Sequence, residues 1–233
     1  MRLMKYWFLE DSFNMMKRMG MRDMMNLCEL LVMKTFKKGS EIHQQFEEDH
    51  LIYFIKKGHV KIGKKEGDEF TMKYVLGKGN IFGESKITSG EDDEPYSAIA
   101  MSECIICFIE VDRMEELMLQ YPKLHNSILK LAGFKFKKIE RRLDDIIYKD
   151  ADTRIKDFLF DFVKENGTSD NEWRAAKNIF SHSDIAKLTS TSRQTVNNVI
   201  SSLRKDGEIT YDRKEVRVFA EHMADAELLK DGD

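Results

Sequence analysis

The chain has 233 residues, 42% of them hydrophobic, 34% charged and 10% aromatic, with a formal net charge of −3. That length suits one large domain or two ordinary ones, and the apolar share is enough to bury real cores; two prolines and no biased tract argue against disorder. No window approaches the roughly 18 uninterrupted apolar residues of a membrane span, and the charges scattered through Met1 to Glu29 are unlike a secretory signal.

Met1 to Val32 reads as helix, with Gly20 its weak point. Nine of the 14 methionines fall in the first 33 residues, a composition that suits an adaptable apolar surface. The texture then changes to short apolar runs: Thr35 to Gly39, Leu51 to Lys57, Val60 to Gly63, Phe70 to Leu76, Ser97 to Met101 and Cys104 to Val111, each bounded by glycine or charge. Strands of that length at regular spacing predict an all-β sandwich or barrel. Asp112 to Leu119 predicts a short helix, and Pro122 sits where a second helix begins.

In that second helix Leu129, Ala132, Phe136, Ile139, Leu143 and Ile146 recur at alternating spacings of 3 and 4, an a/d seam of about three heptads. The helix either packs on its own domain or mates with a second helix, and so narrow a stripe suits a partner better than a broad core face. Gly133 weakens the helix but allows close approach. From Ala151, Arg154, Ile155, Phe158, Leu159 and Phe162 form an amphipathic helix that stops near Asn166 and Gly167. Gly167 to Lys177 reads as polar connection.

Ser181 to Phe219 carries the most information. Ile185 and Leu188 mark a short helix capped by Ser181 or Ser183, Thr189 to Thr191 a turn, and Ser192 the cap of the next helix. There Val196, Val199, Ile200 and Leu203 stand at i, i+3, i+4 and i+7 and define a buried face. The opposite face carries Arg193, Gln194, Asn197, Asn198 and Ser201, side chains of the kinds that read base edges. Arg204 and Lys205 close the helix before Gly207. Ile209 and Tyr211, then Val216 and Val218, alternate on either side of Asp212-Arg213-Lys214 as a two-stranded wing. Together these elements predict a winged helix-turn-helix whose candidate DNA contacts are Ser181, Ser192, Arg193, Gln194, Thr195, Asn197, Asn198, Arg204 and Lys205. Regional charge agrees: Arg174 to Phe219 is net +4, while Met1 to Asp150 is neutral and the tail from Ala220 is net −4.

With these residues in view, the chain resembles the Crp/Fnr (cyclic AMP receptor / fumarate-nitrate regulator) type of transcription factor. Phe36 to Gly39, Tyr53 to Val60 and Leu76 to Glu84 resemble that family's effector-binding jelly roll. Asp152-Thr153-Arg154-Ile155 to Leu159 resembles the first helix of its DNA-binding domain, and Ser192 to Val196 the start of its recognition helix. The resemblance implies an α+β fold in three parts: an N-terminal helix and cyclic-nucleotide-binding-like β jelly roll over 1–121, a long central dimerisation helix over 122–150, and a C-terminal winged helix-turn-helix over 151–233. It further implies a cytoplasmic homodimer on duplex DNA with a near-palindromic site, a small-molecule effector, and a contact with RNA polymerase. Gly83, Glu84, Ser85, Tyr96 and Ser97 correspond to the effector pocket.

The pocket departs from the family pattern. Cyclic-nucleotide-binding members carry an Arg-Ser pair whose Arg clamps the cyclic phosphate; here Tyr96 precedes Ser97, and Glu91, Asp92, Asp93 and Glu94 lie just upstream. Loss of that guanidinium removes a bidentate clamp, so tight binding of cyclic AMP or cyclic GMP is not expected, and the effector stays unidentified. A cyclic-nucleotide-responsive regulator with a nonstandard pocket is one alternative, and a protein-binding module that never touches DNA is another. An iron–sulfur sensor needs four thiolates, whereas Cys28 stands alone and Cys104 and Cys107 lie three apart on a strand, facing opposite sides. Those cysteines are expected to be buried packing residues, and His43, His50 and His59 to lie at the surface or in turns. No metal or other cofactor is expected. No nucleophile motif appears, and Gly77-Lys78-Gly79 lacks the strand-to-helix context of a dinucleotide loop, so no enzyme activity is expected.

Overall fold

The computed structural model describes residues 28–44, 50–67, 69–83 and 96–221, and the chain divides into two compact units, Met1–Lys138 and Ile139–Asp233. The Met-rich segment 1–27 lies outside the described residues; of the expected first helix only residues 28–30 are described as helical. Val32 is not its last residue but opens the first strand, β1 (Val32–Phe36). This β-branched residue pairs with Phe108 across an antiparallel ladder, which suits it better than a helix end.

The first unit is built from two four-stranded antiparallel sheets. One runs in the order β1, β8 (Cys104–Glu110), β3 (Leu51–Lys57), β6 (Ile81–Phe82), and the other β2 (Glu41–His43), β7 (Ser97–Ala100), β4 (Val60–Glu66), β5 (Glu69–Leu76). Between the sheets Tyr53, Ile55, Phe82, Cys104 and Ile106 meet Ile42, Val60, Ile62, Leu76, Ala98 and Ala100. The far side of the first sheet is covered as well: Ile52, Phe54, Ile81, Cys107 and Ile109 pack with Cys28, Leu31 and two helices, α1 (Val111–Gln120) and the start of α2 (Pro122–Tyr148). Strands β3 and β8 are therefore buried on both faces, which is why Leu51 to Ile55 is a continuous apolar run rather than an alternating one. As the spacing predicts, Cys104 and Cys107 face opposite sides of β8, one in each core, and all three cysteines are buried free thiols. Burial pushes the Cys104 thiol above its ordinary pKa, as befits a packing residue.

Two glycines are needed for this topology. Gly58, between β3 and β4, has φ +92°, and a Cβ there would stand 2.4 Å from the Glu103 carbonyl oxygen. Gly83 has φ +84°, and its Cβ would stand 2.4 Å from the Leu51 carbonyl oxygen. Only glycine tolerates both the left-handed backbone and such close approach.

Helix α2 is 27 residues long with Pro122 as its first residue. Leu124 and Ile128 are buried in the helix-side core. Beyond them Leu129, Phe136, Ile139, Leu143 and Ile146 are exposed on the single chain, Phe136 at 62% and Ile139 at 67%. The side chain of Ala132 lies outside the described residues. Ile147 and Tyr148 extend the exposed apolar surface to the end of the helix.

The second unit holds α3 (Ala151–Asn166), β9 (Thr168–Asp170), β10 (Trp173–Lys177), α4 (His182–Thr189), α5 (Arg193–Lys205), β11 (Ile209–Tyr211) and β12 (Glu215–Phe219). Its core joins Ile155, Leu159, Phe162 and Val163 of α3 to Ile185 of α4, the four apolar residues of α5, and Val216 and Val218. Two expectations are corrected here. Gly167 to Lys177 is a hairpin rather than a polar connection, and the wing is part of a four-stranded sheet, β11-β12-β10-β9, rather than a two-stranded ribbon. Strand β10 buries only Ala176 fully, so it shows no apolar alternation. It is held instead by its ladder to β12 and by Trp173, edge-on to Phe219 at 5.2 Å between ring centres.

Candidate nucleic-acid interface

Helix α4 begins as a stable helix should. Ser181 accepts from the Asp184 N–H at 3.1 Å, and the Asp184 carboxylate accepts from the Ser181 N–H at 2.9 Å, a reciprocal capping box. Of the two candidate caps, the structure uses Ser181. The helix ends at Ser190, whose left-handed backbone (φ 53°, ψ 50°) makes the turn, while the Thr191 N–H donates to the Ala186 carbonyl at 2.9 Å.

Helix α5 is capped by Ser192, whose hydroxyl accepts from the Thr195 N–H at 3.0 Å, and Val196, Val199, Ile200 and Leu203 bury its inner face. Its first turn departs from the rules that α4 follows: it holds no acid and opens with Arg193, exposed. A cation at the positive end of a helix dipole opposes the helix by about 0.3–1 kcal/mol, so this residue is not placed for stability. Gln194, Asn198 and Ser201 are also exposed, and the Gln194 amide donates to the Asn198 carbonyl oxygen at 3.0 Å. Thr195 is half-buried, its hydroxyl 2.8 Å from that of Ser192. Asn197 departs from the expected outer face. It is half-buried, and its carbonyl oxygen accepts from Nδ1 of His182 on α4.

At the wing tip Asp212 Oδ1 accepts from the N–H groups of Lys214 at 2.6 Å and Glu215 at 2.8 Å. Those bonds hold the Asp212 carboxyl below the usual carboxylate range and leave Arg213 and Lys214 exposed at the tip. Other cations of this unit are neutralised: Arg217 by Glu215 at 2.6 Å and Asp170 at 3.2 Å, Lys156 by Glu208 at 2.6 Å. Arg193, Arg204, Lys205 and Arg213 have no ion-pair partner among the described residues. Uncompensated positive charge thus lies on the recognition helix and the wing, as well as on Arg174 and Lys177 of β10, which suits a polyanion.

Two supporting roles are not visible in the sequence, that of His182 and that of Arg154. His182 fixes α5 against α4 through Asn197. Arg154 of α3 donates to three carbonyls: Lys149 at 2.6 Å, Thr189 at 2.9 Å and Ser190 at 3.2 Å. It ties Lys149, between α2 and α3, to the turn between α4 and α5, and its signal was a cation four residues before Phe158 on a face otherwise apolar. Beside it, Lys149 bridges Asp145 at 2.7 Å and Asp157 at 2.6 Å. Burial pulls the Lys149 ammonium down, but the hydrogen bonds it donates to the two carboxylates outweigh it and leave its pKa raised.

In the jelly roll, Glu84 and Ser85 lie outside the described residues. Gly83 follows β6, buried Ser97 begins β7 opposite Gly63, and half-buried Tyr96 packs against the inter-sheet core. His43 corrects the expectation of a surface or turn position: it is 4% exposed, its ring 4.8 Å from Tyr96 and 6.1 Å from Tyr53. Tyr53 in turn stacks on Phe82 at 4.6 Å. His50 is exposed and His59 half-buried between β3 and β4. Among the described residues no three His, Cys, Asp or Glu side chains converge as a metal site, and no helix is long and apolar enough to cross a membrane.

A β jelly roll of the effector-binding type followed by a winged helix-turn-helix defines a DNA-binding transcriptional regulator. Comparison with known proteins agrees. Residues 33–121 match the cyclic nucleotide-binding domain and residues 153–222 the Crp-like helix-turn-helix domain. The chain is 23% identical over 192 residues to the global nitrogen regulator of Synechococcus elongatus, covering 81% of this chain and 86% of that one. It is 23% identical over 184 residues to the CRP-like cAMP-activated global transcriptional regulator of Mycobacterium tuberculosis, covering 78% and 82%. Its fold is similar to that of FixK2 from Bradyrhizobium japonicum (TM-score 0.68, 16% identity, 84% of this chain and 96% of that one). It is also similar to that of the c-di-GMP responsive global regulator CLP of Xanthomonas campestris (TM-score 0.70, 17% identity, 85% and 98%). The chain belongs to the Crp/Fnr family of transcriptional regulators.

Proposed function

We propose that this regulator acts as a cytoplasmic homodimer that reads a near-palindromic duplex site and is switched by a small molecule other than cyclic AMP. The observation that carries the dimer is the exposed stripe Leu129, Phe136, Ile139, Leu143 and Ile146 on α2. Large apolar side chains at a/d spacing, each at least 43% exposed on the single chain, are stable in water when a second helix covers them. In this reading 1–121 senses, 122–150 dimerises and 151–233 binds DNA, with Ser181, Ser192, Arg193, Gln194, Thr195, Asn198, Arg204 and Lys205 nearest the duplex. Asn197 supports the recognition helix through His182. Contact with RNA polymerase couples the bound dimer to transcription.

The effector reading rests on Tyr96. A phenol packed beside His43 supplies no guanidinium fork for a cyclic phosphate. Calorimetric titration of the full chain with cyclic AMP and cyclic GMP is the test, and the expected result is no binding tighter than about 10 µM, roughly −7 kcal/mol. Tighter binding would establish the cyclic-nucleotide-responsive alternative. Binding to duplex DNA measured from low to high salt separates a DNA reader from a protein-only module. Phosphate contacts give a steep negative slope, and no binding at low salt overturns the proposal.

A further inference from the structure

We propose that Gln194 and Asn198 act as one joined reading head that selects adenine at a single position of each half-site. The inference rests on the sequence-specific reading above and specifies what that reading recognises. The two side chains stand one turn apart on the exposed face of α5 and are already bonded to each other, Gln194 Nε2 donating to Asn198 Oδ1 at 3.0 Å. That bond occupies one donor and one acceptor. Besides the second Nε2 proton of Gln194 and the second lone pair of Asn198 Oδ1, it leaves the Gln194 carbonyl oxygen as an acceptor and the Asn198 Nδ2 as a donor, one on each of two side chains one turn apart. In the major groove, adenine alone offers both complements on one base, with the N7 acceptor next to the N6 donor. Guanine offers two acceptors and leaves the Gln194 oxygen facing another acceptor. Cytosine offers only a donor, and thymine an acceptor beside a methyl group. An amide group desolvated against a base that cannot answer it is penalised, so the pair discriminates by rejection as well as by attraction.

Two further observations reduce the readers on this helix, leaving the pair with Arg193 and Ser201. Asn197, the other amide of α5, is engaged by His182 and half-buried. Thr195 is half-buried against the cap residue Ser192. The mutual bond also sets the Gln194 and Asn198 rotamers before DNA arrives, which lowers the ordering entropy of binding.

The test is selection of binding sites from a random duplex library by the full-length chain, followed by affinity measurements on the selected site. With the wild-type chain, changing the paired A·T to G·C in each half-site is expected to weaken binding by about tenfold to a hundredfold per half-site. Gln194→Ala and Asn198→Ala are each expected to abolish most of that preference, and the double variant to do no more than either alone, the non-additivity of a single unit. In Gln194→Glu the carboxylate accepts from the Asn198 amide and presents only acceptors outward, so selection is expected to move from adenine to cytosine. All these positions are exposed, and unchanged thermal melting checks that the variants fold. A selected site whose bases do not change on Gln194→Ala, or losses that simply add in the double variant, overturn the joined head while leaving sequence-specific binding intact. Salt-sensitive binding that enriches no sequence at all overturns the specific reading and the joined head with it.

Discussion

Ser190 holds a left-handed backbone, φ 53° and ψ 50°, to make the turn between α4 and α5. Outside glycine that conformation costs about 1–2 kcal/mol, against about 0.4–1 kcal/mol of unfolded-state freedom that a glycine adds, so Ser190→Gly is expected to raise stability by up to about 1 kcal/mol, read from the urea midpoint. Its carbonyl still accepts from Arg154. Arg193 shows the reverse balance. Arg193→Ala is expected to lower affinity for a selected site by about 1–3 kcal/mol and to relax one base pair. Removing a cation from the positive end of α5 leaves the melting temperature the same or slightly higher. Among the described residues three carboxylates bear on the acid side: Glu103, held low by the Lys57 ammonium, and two held by backbone N–H groups. The Thr153 N–H holds the Asp150 carboxyl below the usual range, and the Lys214 and Glu215 N–H groups do the same for Asp212. A depressed folded-state value contributes stability that is present above the unfolded pKa, about 3.9, and lost as pH falls through the folded value. Melting temperature is therefore expected to drop below about pH 4, and Asp150→Asn with Asp212→Asn to flatten that limb in melts taken from pH 3 to pH 7 (conditions chosen to bracket the range).

At the scale of elements, Arg154 makes α3 and the helix-turn-helix one piece. Arg154→Ala removes three hydrogen bonds to backbone carbonyls and is expected to destabilise the second unit by on the order of 2–3 kcal/mol in a denaturant titration. Arg154→Lys is not expected to rescue it, because one ammonium on a flexible stem cannot span the three sites of a guanidinium fork. Helices and paired strands with strong apolar patterns were legible in advance: α1, α3, α4, α5, β3 and β8 all announce themselves through spacing, caps or continuous apolar runs. Strands β9 and β10 did not, because Thr168 to Asp170 is wholly exposed and Ala176 is the one fully buried side chain of β10. Pairing with β12, not local pattern, makes them strands. The candidate interface was legible wherever geometry follows from the buried face of α5. It was not legible at Asn197, because a helical wheel places a residue on a face without revealing that His182 on a neighbouring helix meets it there. His43 escaped for a related reason: a polar residue on a three-residue strand carries no periodic signal, and its burial depends on Tyr53 and Tyr96, distant in sequence.

For the whole molecule, the net charge of −3 averages over a neutral first 150 residues, an acidic stretch from Ala151 to Trp173, a basic segment from Arg174 to Phe219 and an acidic end. With little positive charge to spare, non-specific attraction to DNA is expected to be weak, and in the proposed dimer the two subunits together supply much of the affinity. Phe136→Glu with Ile139→Lys places charges in the middle of the exposed stripe. It is expected to give a monomer in sedimentation and to lose at least about a hundredfold in affinity for a two-half-site duplex, with unchanged melting of the second unit. Strand β8 adds a constraint of another kind. Cys104 and Ile106 line the space between the sheets, while Cys107 and Ile109 line the core that seats Leu124 and Ile128 of α2. These two compartments share a partition one backbone thick, and a close-packed wall cannot yield on one side alone. Whatever wedges into the jelly-roll interior pushes on the footing of α2 through this one strand and its own side chains.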